Sequence, residues 1–443
     1  MNGTDCATQF ILSTTWLELP SAVQHQARRC LLDALGALIA GTETPVGKLM
    51  ADFAVEQYAG HEATLLVDGR RTSLIGAALA NGFAGNALDI DDGFRLVKGH
   101  PGMSVLPALL AAAERRGNLS GQTFLTAFVM GYEVGIRAGL IRHALYQTYH
   151  SSGSWGAMAA AAVVGKVLDL EAGVLRQALG TAEYHAPIAP MMKGIDTPSM
   201  GKDSIGWGAM VGLAAVLMAQ RGFTGIEPLF SDTPDPRWVM NLGHEYEILN
   251  LYFKPYAGCR WAQPAIAGTL EIARQYHLAS DDIARICIRT FAAAVQLRRE
   301  HPRNTEEAQY HLAYPVAAAL IDGEVGPPQV MPPRIYDRTI LALADRVEVE
   351  TLAEYEQAFP QKTYADVEVI THDGRRLIAV GKQAMWEPPD TLPTDAKLEQ
   401  KFRWLVGPVL GDDKALALVE LIWRFEQVED VQQLLKLCLK KHR

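Results

Sequence analysis

The chain has 443 residues, 49% of them hydrophobic and 21% charged, so it is too apolar to be disordered and long enough for two domains. A formal net charge of −9 speaks against a nucleic-acid partner, which needs a basic face, but allows a small anionic substrate held by a few local cations. Cys6, Cys30, Cys259, Cys287 and Cys438 stand far apart with no Cys-x-x-Cys pair; this disfavours iron–sulfur, structural zinc and disulfide frameworks and fits a reducing, cytoplasmic setting.

Met1–Thr15 holds Asp5 but no basic residue ahead of its short apolar stretch, unlike a secretory signal. From about Ser21 to Gln220 the pattern predicts helix after helix. The first is Ser21–Gly41, with Ser21 as its cap and Gly41 as its stop. Others are expected at Ser73–Leu88, Met103–Arg116, Gly121–Arg137, Ser154–Leu168 and Ile205–Gln220. Small residues in segments such as GAMAAAAVVG let helix axes approach closely, which predicts a tight bundle. The long stretches free of acidic and basic residues, His143–Gly165, Thr72–Leu88 and Ser204–Gln220, read as buried helices; no membrane partner is expected.

The character changes near Pro255. Short β-like runs, Ala284–Val295, Asp345–Thr351 and Tyr364–Lys382, alternate with helical stretches at Ala308–Leu320 and Ile340–Asp345. The last run reads as a hairpin turning at Asp373-Gly374. Proline-rich loops follow at Gly326–Pro333 and Glu387–Pro393, the second suited to a domain crossing. The amphipathic tail from Lys397 to Arg443 is expected to pack back on the first domain. The fold class is therefore mainly α: a large helical bundle of residues 1–255 completed by 398–443, with a smaller α+β lid of residues 256–397.

Four segments could carry chemistry. In Asn86–Pro107, Asp89, Asp91 and Asp92 leave a helix end, Arg95 and Lys98 follow, and His100 precedes Pro101-Gly102. Close carboxylates raise one another's pKa, and one can hold a histidine in a chosen tautomer, which makes a base-plus-orienter pair. The competing readings are an acidic helix end in a solvated loop, or magnesium held by the three aspartates. In Tyr149–Ser154 the serines can cap a helix whose positive end lowers the pKa of His150, with Tyr149 beside it as a substrate contact. Lys202, between Gly201 and Asp203, could clamp a carboxylate; the glycine spacing and Asp203 rule out a Walker A loop. Lys254 and Arg260 flank a turn at the domain junction, where clefts form, and could hold a second carboxylate. Cys259 between them reads as a buried, inert thiol.

Six blocks in order carry a resemblance: ALDIDDGF…GHPGMSVLPALLA, YHSSGSWGAMAAAA, MGKDSIGWGAM, AQRGFTG, FKPYAGCRWAQPAI and EEAQYHLAYPVAAAL. Together, from Ala87 to Leu320, they resemble the MmgE/PrpD family, which includes 2-methylcitrate dehydratase, cis-aconitate decarboxylase and iminodisuccinate epimerase. The resemblance implies a homodimer with no metal or other cofactor. It places catalytic duty on Asp89, His100, His150 and Lys202, and the family's second lysine on Lys254. Gly93, Gly102 and Gln263 depart from residues common in the family, and the loop before His100 is longer, with Arg95 and Lys98 added.

The expected chemistry is abstraction of an α-proton from a small di- or tricarboxylate. Lys202, Lys254 and Arg260 would anchor and stabilise the enolate-like charge, with Lys98 and Tyr149 as further substrate contacts. Water elimination, epimerisation and decarboxylation rank in that order. A non-catalytic carboxylate-binding protein and a metal-dependent lyase stand as the alternatives.

Overall fold

The computed structural model describes residues 2–297 and 300–440; the last three residues expected in the helical tail, 441–443, lie outside that range. Most of the chain is helical, with one small mixed sheet. The elements that position the cleft are α1 (Ser21–Gly41), α2 (Leu74–Asn86), α3 (Pro101–Arg116), α4 (Gly121–Leu145), α5 (Ser152–Val167) and α6 (Ile205–Ala219). Later come α7 (Gln263–Tyr276), α8 (Ala313–Asp322) and α9 (Asp395–Leu410).

Helix α5 lies at the centre, packed against α3, α4 and α6, while α6 also packs against α2. Composition makes this possible. A Cβ at Gly82 on α2 would meet the Gly206 Cα of α6 at 2.7 Å, and one at Gly212 on α6 would meet the Ala157 carbonyl of α5 at 2.2 Å. Backbone thus touches backbone, and the axes approach as the small-residue pattern predicts. Helix α4 is long and apolar enough to cross a membrane, yet 94% of its most apolar window is buried inside the fold, the signature of a core helix.

Several ends differ from expectation for local reasons. Ser21 is the first residue of α1 rather than its cap; Pro20 holds the cap position and no side chain caps the helix. The helix does end at Gly41 as expected, where the missing Cβ leaves room for the Ala84 carbonyl, 1.8 Å from where that atom would stand. Helix α3 starts two residues earlier than predicted because Pro101, lacking an N–H, suits the first helical position. The stretch expected as one helix at Ala308–Leu320 is broken between Gln309 and Ala313. Helices at Gly3–Ser13, Pro45–Gln57 and Ala172–His185 add to those expected.

The sheet contains β1 (Ile283–Thr290), β2 (Val347–Thr351), β3 (Tyr364–Thr371) and β4 (Arg376–Gln383), in the order β2-β1-β3-β4. Only β2 runs parallel to its neighbour, pairing Ile286 with Val347. Strands β3 and β4 form the hairpin, with Gly374 at φ +87° in its turn. Ala292–Val295, expected to continue a β-run, is instead a helical turn because the strand ends at Thr290. Helix α7 covers β3 and β4, and α9 returns to lie on α1.

The close approach of α2 and α6 is open to test. Gly82→Val is expected to lower stability by about 1–3 kcal/mol through overpacking. Gly173→Val, at a helical glycine with nothing within 4 Å of its Cβ position, should leave stability unchanged or slightly raised, since valine has the higher helix propensity. Equal losses in urea unfolding would overturn the close-packing account.

Candidate active site

Helix α2 ends at Asn86, and the next turn puts Asp89 at φ +50°, a left-handed conformation that costs a non-glycine residue about 1 kcal/mol. Lys98 (φ +49°), Lys202 (φ +40°) and Ser204 (φ +55°) share that conformation, so four such residues lie in the loops predicted to carry chemistry. These loops border a cleft that is partly open to solvent.

Its floor is a chain of buried charges. Lys254 Nζ donates to Asp89 Oδ1 at 2.5 Å and to the Asp89 carbonyl at 3.1 Å. The same Oδ1 lies 3.2 Å from His100 Nε2. On the other side of the ring, Nδ1 is 2.9 Å from the Asp92 carbonyl and 3.2 Å from Asp91 Oδ2. Burial alone would discharge His100, but the Asp91 charge and contacts with both carboxylates raise its pKa well above the usual imidazole value. Burial likewise pushes Asp89 up, yet Lys254, Lys202 and His100 outweigh it and hold the carboxyl well below its ordinary range. At rest the arrangement is an imidazolium between two carboxylates, backed by an ammonium.

The three aspartates have different partners. Asp91 Oδ1 accepts from Asn86 Nδ2 at 3.1 Å. Asp92 points away from the cleft, accepting from the Tyr132 hydroxyl at 2.5 Å and the Gly102 N–H at 3.1 Å. The magnesium reading with all three therefore does not match the geometry. Asp89, Asp91 and His100 do bring one donor atom each within 4.8 Å of one another, but the Lys254 ammonium already occupies Asp89, and a cation there would sit beside it.

Lys98, Tyr149, Arg260, Asp89, His100 and Lys254 all line the cleft. Lys98 Nζ lies 5.0 Å from the Tyr149 ring centroid, the Tyr149 hydroxyl donates to the Lys98 carbonyl, and burial lowers the lysine's pKa. Arg260 stacks at 4.2 Å on Tyr252 and binds Glu387 at 3.1 Å; burial brings its pKa down to about 10. Cys259 lines the cleft too, but burial drives its thiol up to about 12, which suits the inert role expected for it.

Two expected site residues, Lys202 and His150, are not among the residues that line the cleft. Lys202 donates to Gln309 Oε1 and lies 5.7 Å from the Tyr310 ring centroid. His150 stacks on His143 with ring centroids 6.0 Å apart, and neither of its buried ring nitrogens has a hydrogen-bond partner. Its pKa is lowered as expected, through burial and then Arg142. Ser151 caps nothing with its side chain; Ser152 Oγ instead accepts from the His100 N–H at 3.0 Å and donates to Asp203 Oδ1 at 3.2 Å.

The departures from the family pattern have local reasons. A Cβ at Gly93 would lie 2.3 Å from the Tyr252 hydroxyl, so the phenol fills that space. One at Gly102 would meet the Tyr132 hydroxyl at 2.4 Å. Gln263 braces the turn by donating to the Tyr256 carbonyl at 2.9 Å, away from the cleft. Asp203, Tyr252, Trp261, Tyr310, Phe359 and Glu387 line the cleft without having been singled out. Asp203 and Tyr310 lay inside matched blocks and were legible there; Phe359 and Glu387 come from loops with no chemical signature of their own.

The comparisons agree with this architecture. Residues 7–238 match the MmgE/PrpD N-terminal domain and residues 256–427 the MmgE/PrpD C-terminal domain. Similar proteins include a cis-aconitate decarboxylase-like protein of Aspergillus oryzae, 26% identical over 95% of this chain and 94% of that protein. The cis-aconitate decarboxylase of Homo sapiens is 27% identical over 93% of this chain and 89% of its own length. That of Aspergillus terreus is 22% identical over 95% and 92% respectively.

Asp92 supplies a pH test. Burial, then the Asp33 charge, lifts its carboxyl to about 7. A folded-state pKa above the unfolded value gives stability that is complete below about 4 and lost as pH rises through about 7. The stability of wild type relative to Asp92→Asn, from urea unfolding, is therefore expected to fall by roughly 1 kcal/mol per pH unit over that window. A difference that stays constant between pH 5 and 8 would show that the carboxyl is not held protonated. With both domain matches spanning most of its length, the chain belongs to the MmgE/PrpD family.

Proposed function

We propose that this protein is a lyase that moves a proton on a small di- or tricarboxylate, using only its own side chains. The observation that carries the reading is His100, held as an imidazolium between Asp89 and Asp91 at the floor of a cleft whose wall bears Lys98, Lys254 and Arg260. Lys98 and Arg260 would hold substrate carboxylates, and their charge would stabilise an enolate-like state.

Decarboxylation is the outcome favoured by a resident acid and by the names of the similar proteins. His100 gives its proton to an alkene carbon of an unsaturated substrate. The bond to a carboxylate carbon breaks, its electrons form the shifted double bond, and carbon dioxide leaves. Asp89 and Asp91 stabilise the imidazolium beforehand, and solvent returns the proton afterwards.

Elimination of water is the second reading, favoured by His150. Its imidazole is neutral with both nitrogens unpartnered, as a base needs. There the base takes the α-proton, the β-carbon–oxygen bond breaks, and His100 protonates the departing hydroxide. This route requires His150 to reach the cleft, which Tyr149 beside it already lines.

A homodimer is part of the proposal. Helix α6 is strongly apolar but leaves Trp207 38% exposed, and Tyr184, Ile188, Phe223 and Ile226 are exposed as well. Such a concentration of apolar residues suits a partner surface. Light scattering is expected to give twice the chain mass for wild type and a larger monomer fraction for Trp207→Asp; a monomeric wild type would sink this part. A cytoplasmic location fits five free cysteines, three of them buried.

The catalytic reading is tested by proton NMR in D₂O with cis-aconitate, 2-methylcitrate, citrate and saturated or hydroxylated dicarboxylates. Deuterium entering a carbon next to a carboxylate is expected, with loss of carbon dioxide or water distinguishing the two outcomes. His100→Gln should reduce kcat/KM by roughly 10²–10⁴-fold, and EDTA should leave turnover unchanged. Full activity in His100→Gln would remove the acid from the mechanism.

A further inference from the structure

The wall of the cleft opposite His100 already holds a carboxylate. Glu387, buried in the loop between β4 and α9, is bound by two guanidinium groups from different parts of the chain. Arg95 donates to one of its oxygens, and Arg260 lies 3.1 Å from the other. Its backbone is fixed as well: the Glu387 N–H donates to Thr391 Oγ1 at 2.9 Å, and the Thr391 hydroxyl donates back to the Glu387 carbonyl at 3.1 Å. Arg260 is anchored to the same loop by a 2.9 Å bond to the Met385 carbonyl, and Arg95 reaches the Gln361 carbonyl. A carboxylate between two fixed guanidinium forks is the arrangement by which proteins bind anionic ligands.

The neighbouring charges set how much anion can enter. Lys254 and His100 are balanced by Asp89 and Asp91, their partners in the buried chain, and the Asp203 carboxyl of the lining is offset by the Lys202 charge that acts on it. Arg95 and Arg260 share one carboxylate between them. Lys98 has Tyr149 for its neighbour and, among the described residues, no acid is paired with it. The wall therefore carries two positive charges in excess, one on Lys98 and one on the guanidinium pair.

We infer that Glu387 occupies the seat of a substrate carboxylate and so restricts the cleft to dicarboxylates. This deepens the proposed function and rests on it. A dianion satisfies Lys98 and the remaining capacity of the arginine pair, with its reacting carbon toward His100. A third carboxylate would have to displace Glu387 or lie beside it, where the two like charges repel. Trp261 and Phe359, 6.0 Å apart on the same wall, offer an apolar surface in place of another cation.

The test uses full-length protein and non-reacting probes: succinate and glutarate as dicarboxylates, tricarballylate as the tricarboxylate. Calorimetric titration of wild type is expected to give a Kd at least tenfold tighter for the better dicarboxylate than for tricarballylate. In Glu387→Gln, which keeps the shape and frees a positive charge, the ratio should move at least tenfold toward tricarballylate. Glu387→Asp, which keeps the charge, should retain the wild-type preference. Equal or tighter binding of tricarballylate by wild type would overturn the inference without a variant, as would a ratio unchanged in Glu387→Gln. Binding of none of the three would instead remove the carboxylate-lyase reading on which it rests, whereas dicarboxylate binding without turnover would leave the seat intact and count against catalysis alone.

Discussion

The loop from Asp89 to Asp92 is the constraint on which the site depends, because two buried lysines hold it from outside the segment that contains it. Lys254, from the domain junction, binds the Asp89 carboxylate and carbonyl. Lys401, from α9, donates to the Ile90 carbonyl at 2.6 Å and to Asp33 on α1 at 2.6 Å. Burying an ammonium is costly unless a carboxylate and further acceptors surround it, and deleting one partner of such a pair typically costs about 3–5 kcal/mol. The Asp89–Asp92 loop, the junction and the tail are thereby made interdependent. The return of α9 onto α1 does more than cover apolar surface: it delivers a charge to the underside of the site.

The same arrangement divides three neighbouring aspartates into different chemical states. Asp89 is held ionised by Lys254, while Asp92, turned toward Tyr132 and close to the negative charge of Asp33, keeps its proton to near neutrality. Asp91 lies between them, its Oδ2 attracted to His100 without a hydrogen bond. Three carboxylates in four residues would repel if all faced one space. Asp92 is turned to Tyr132 and Gly102, while Asp89 and Asp91 stay on the His100 ring, whose charge lies between theirs.

Much of this was legible in the sequence, though unevenly. Apolar periodicity and small residues gave the helices of the bundle, because close packing of Gly82 on Gly206 leaves a compositional mark. The hairpin at Asp373-Gly374 was legible from its turn chemistry. Helix ends were less so: whether Ser21, Pro20 or Ser151 caps depends on side-chain geometry that spacing does not determine. In the site, Asp89, His100, Lys98, Tyr149, Lys254 and Arg260 could be named because each sits in a segment rich in polar groups. Glu387 could not, since its meaning comes from two arginines more than a hundred residues away in sequence. The separate duties of the three aspartates were equally hidden, because Lys401, Asp33 and Tyr132 come from three other helices.

On the sequence alone either His100 or His150 could serve as the base, and the surroundings of the two differ. Each ring nitrogen of His100 faces an acceptor, so deprotonation would set a lone pair against a carboxylate or a carbonyl. Two anions and one carbonyl outweigh desolvation and the Lys254 charge, and the group rests as an acid. His150 has the opposite surroundings, with apolar burial, a nearby arginine and no acceptor on either nitrogen, and rests as a neutral ring. Two histidines with pKa values pushed apart are what acid–base chemistry at neutral pH requires. Their separation is set by neighbours rather than by anything intrinsic to the segments in which they lie. Of the two, His100 is the one that lines the cleft.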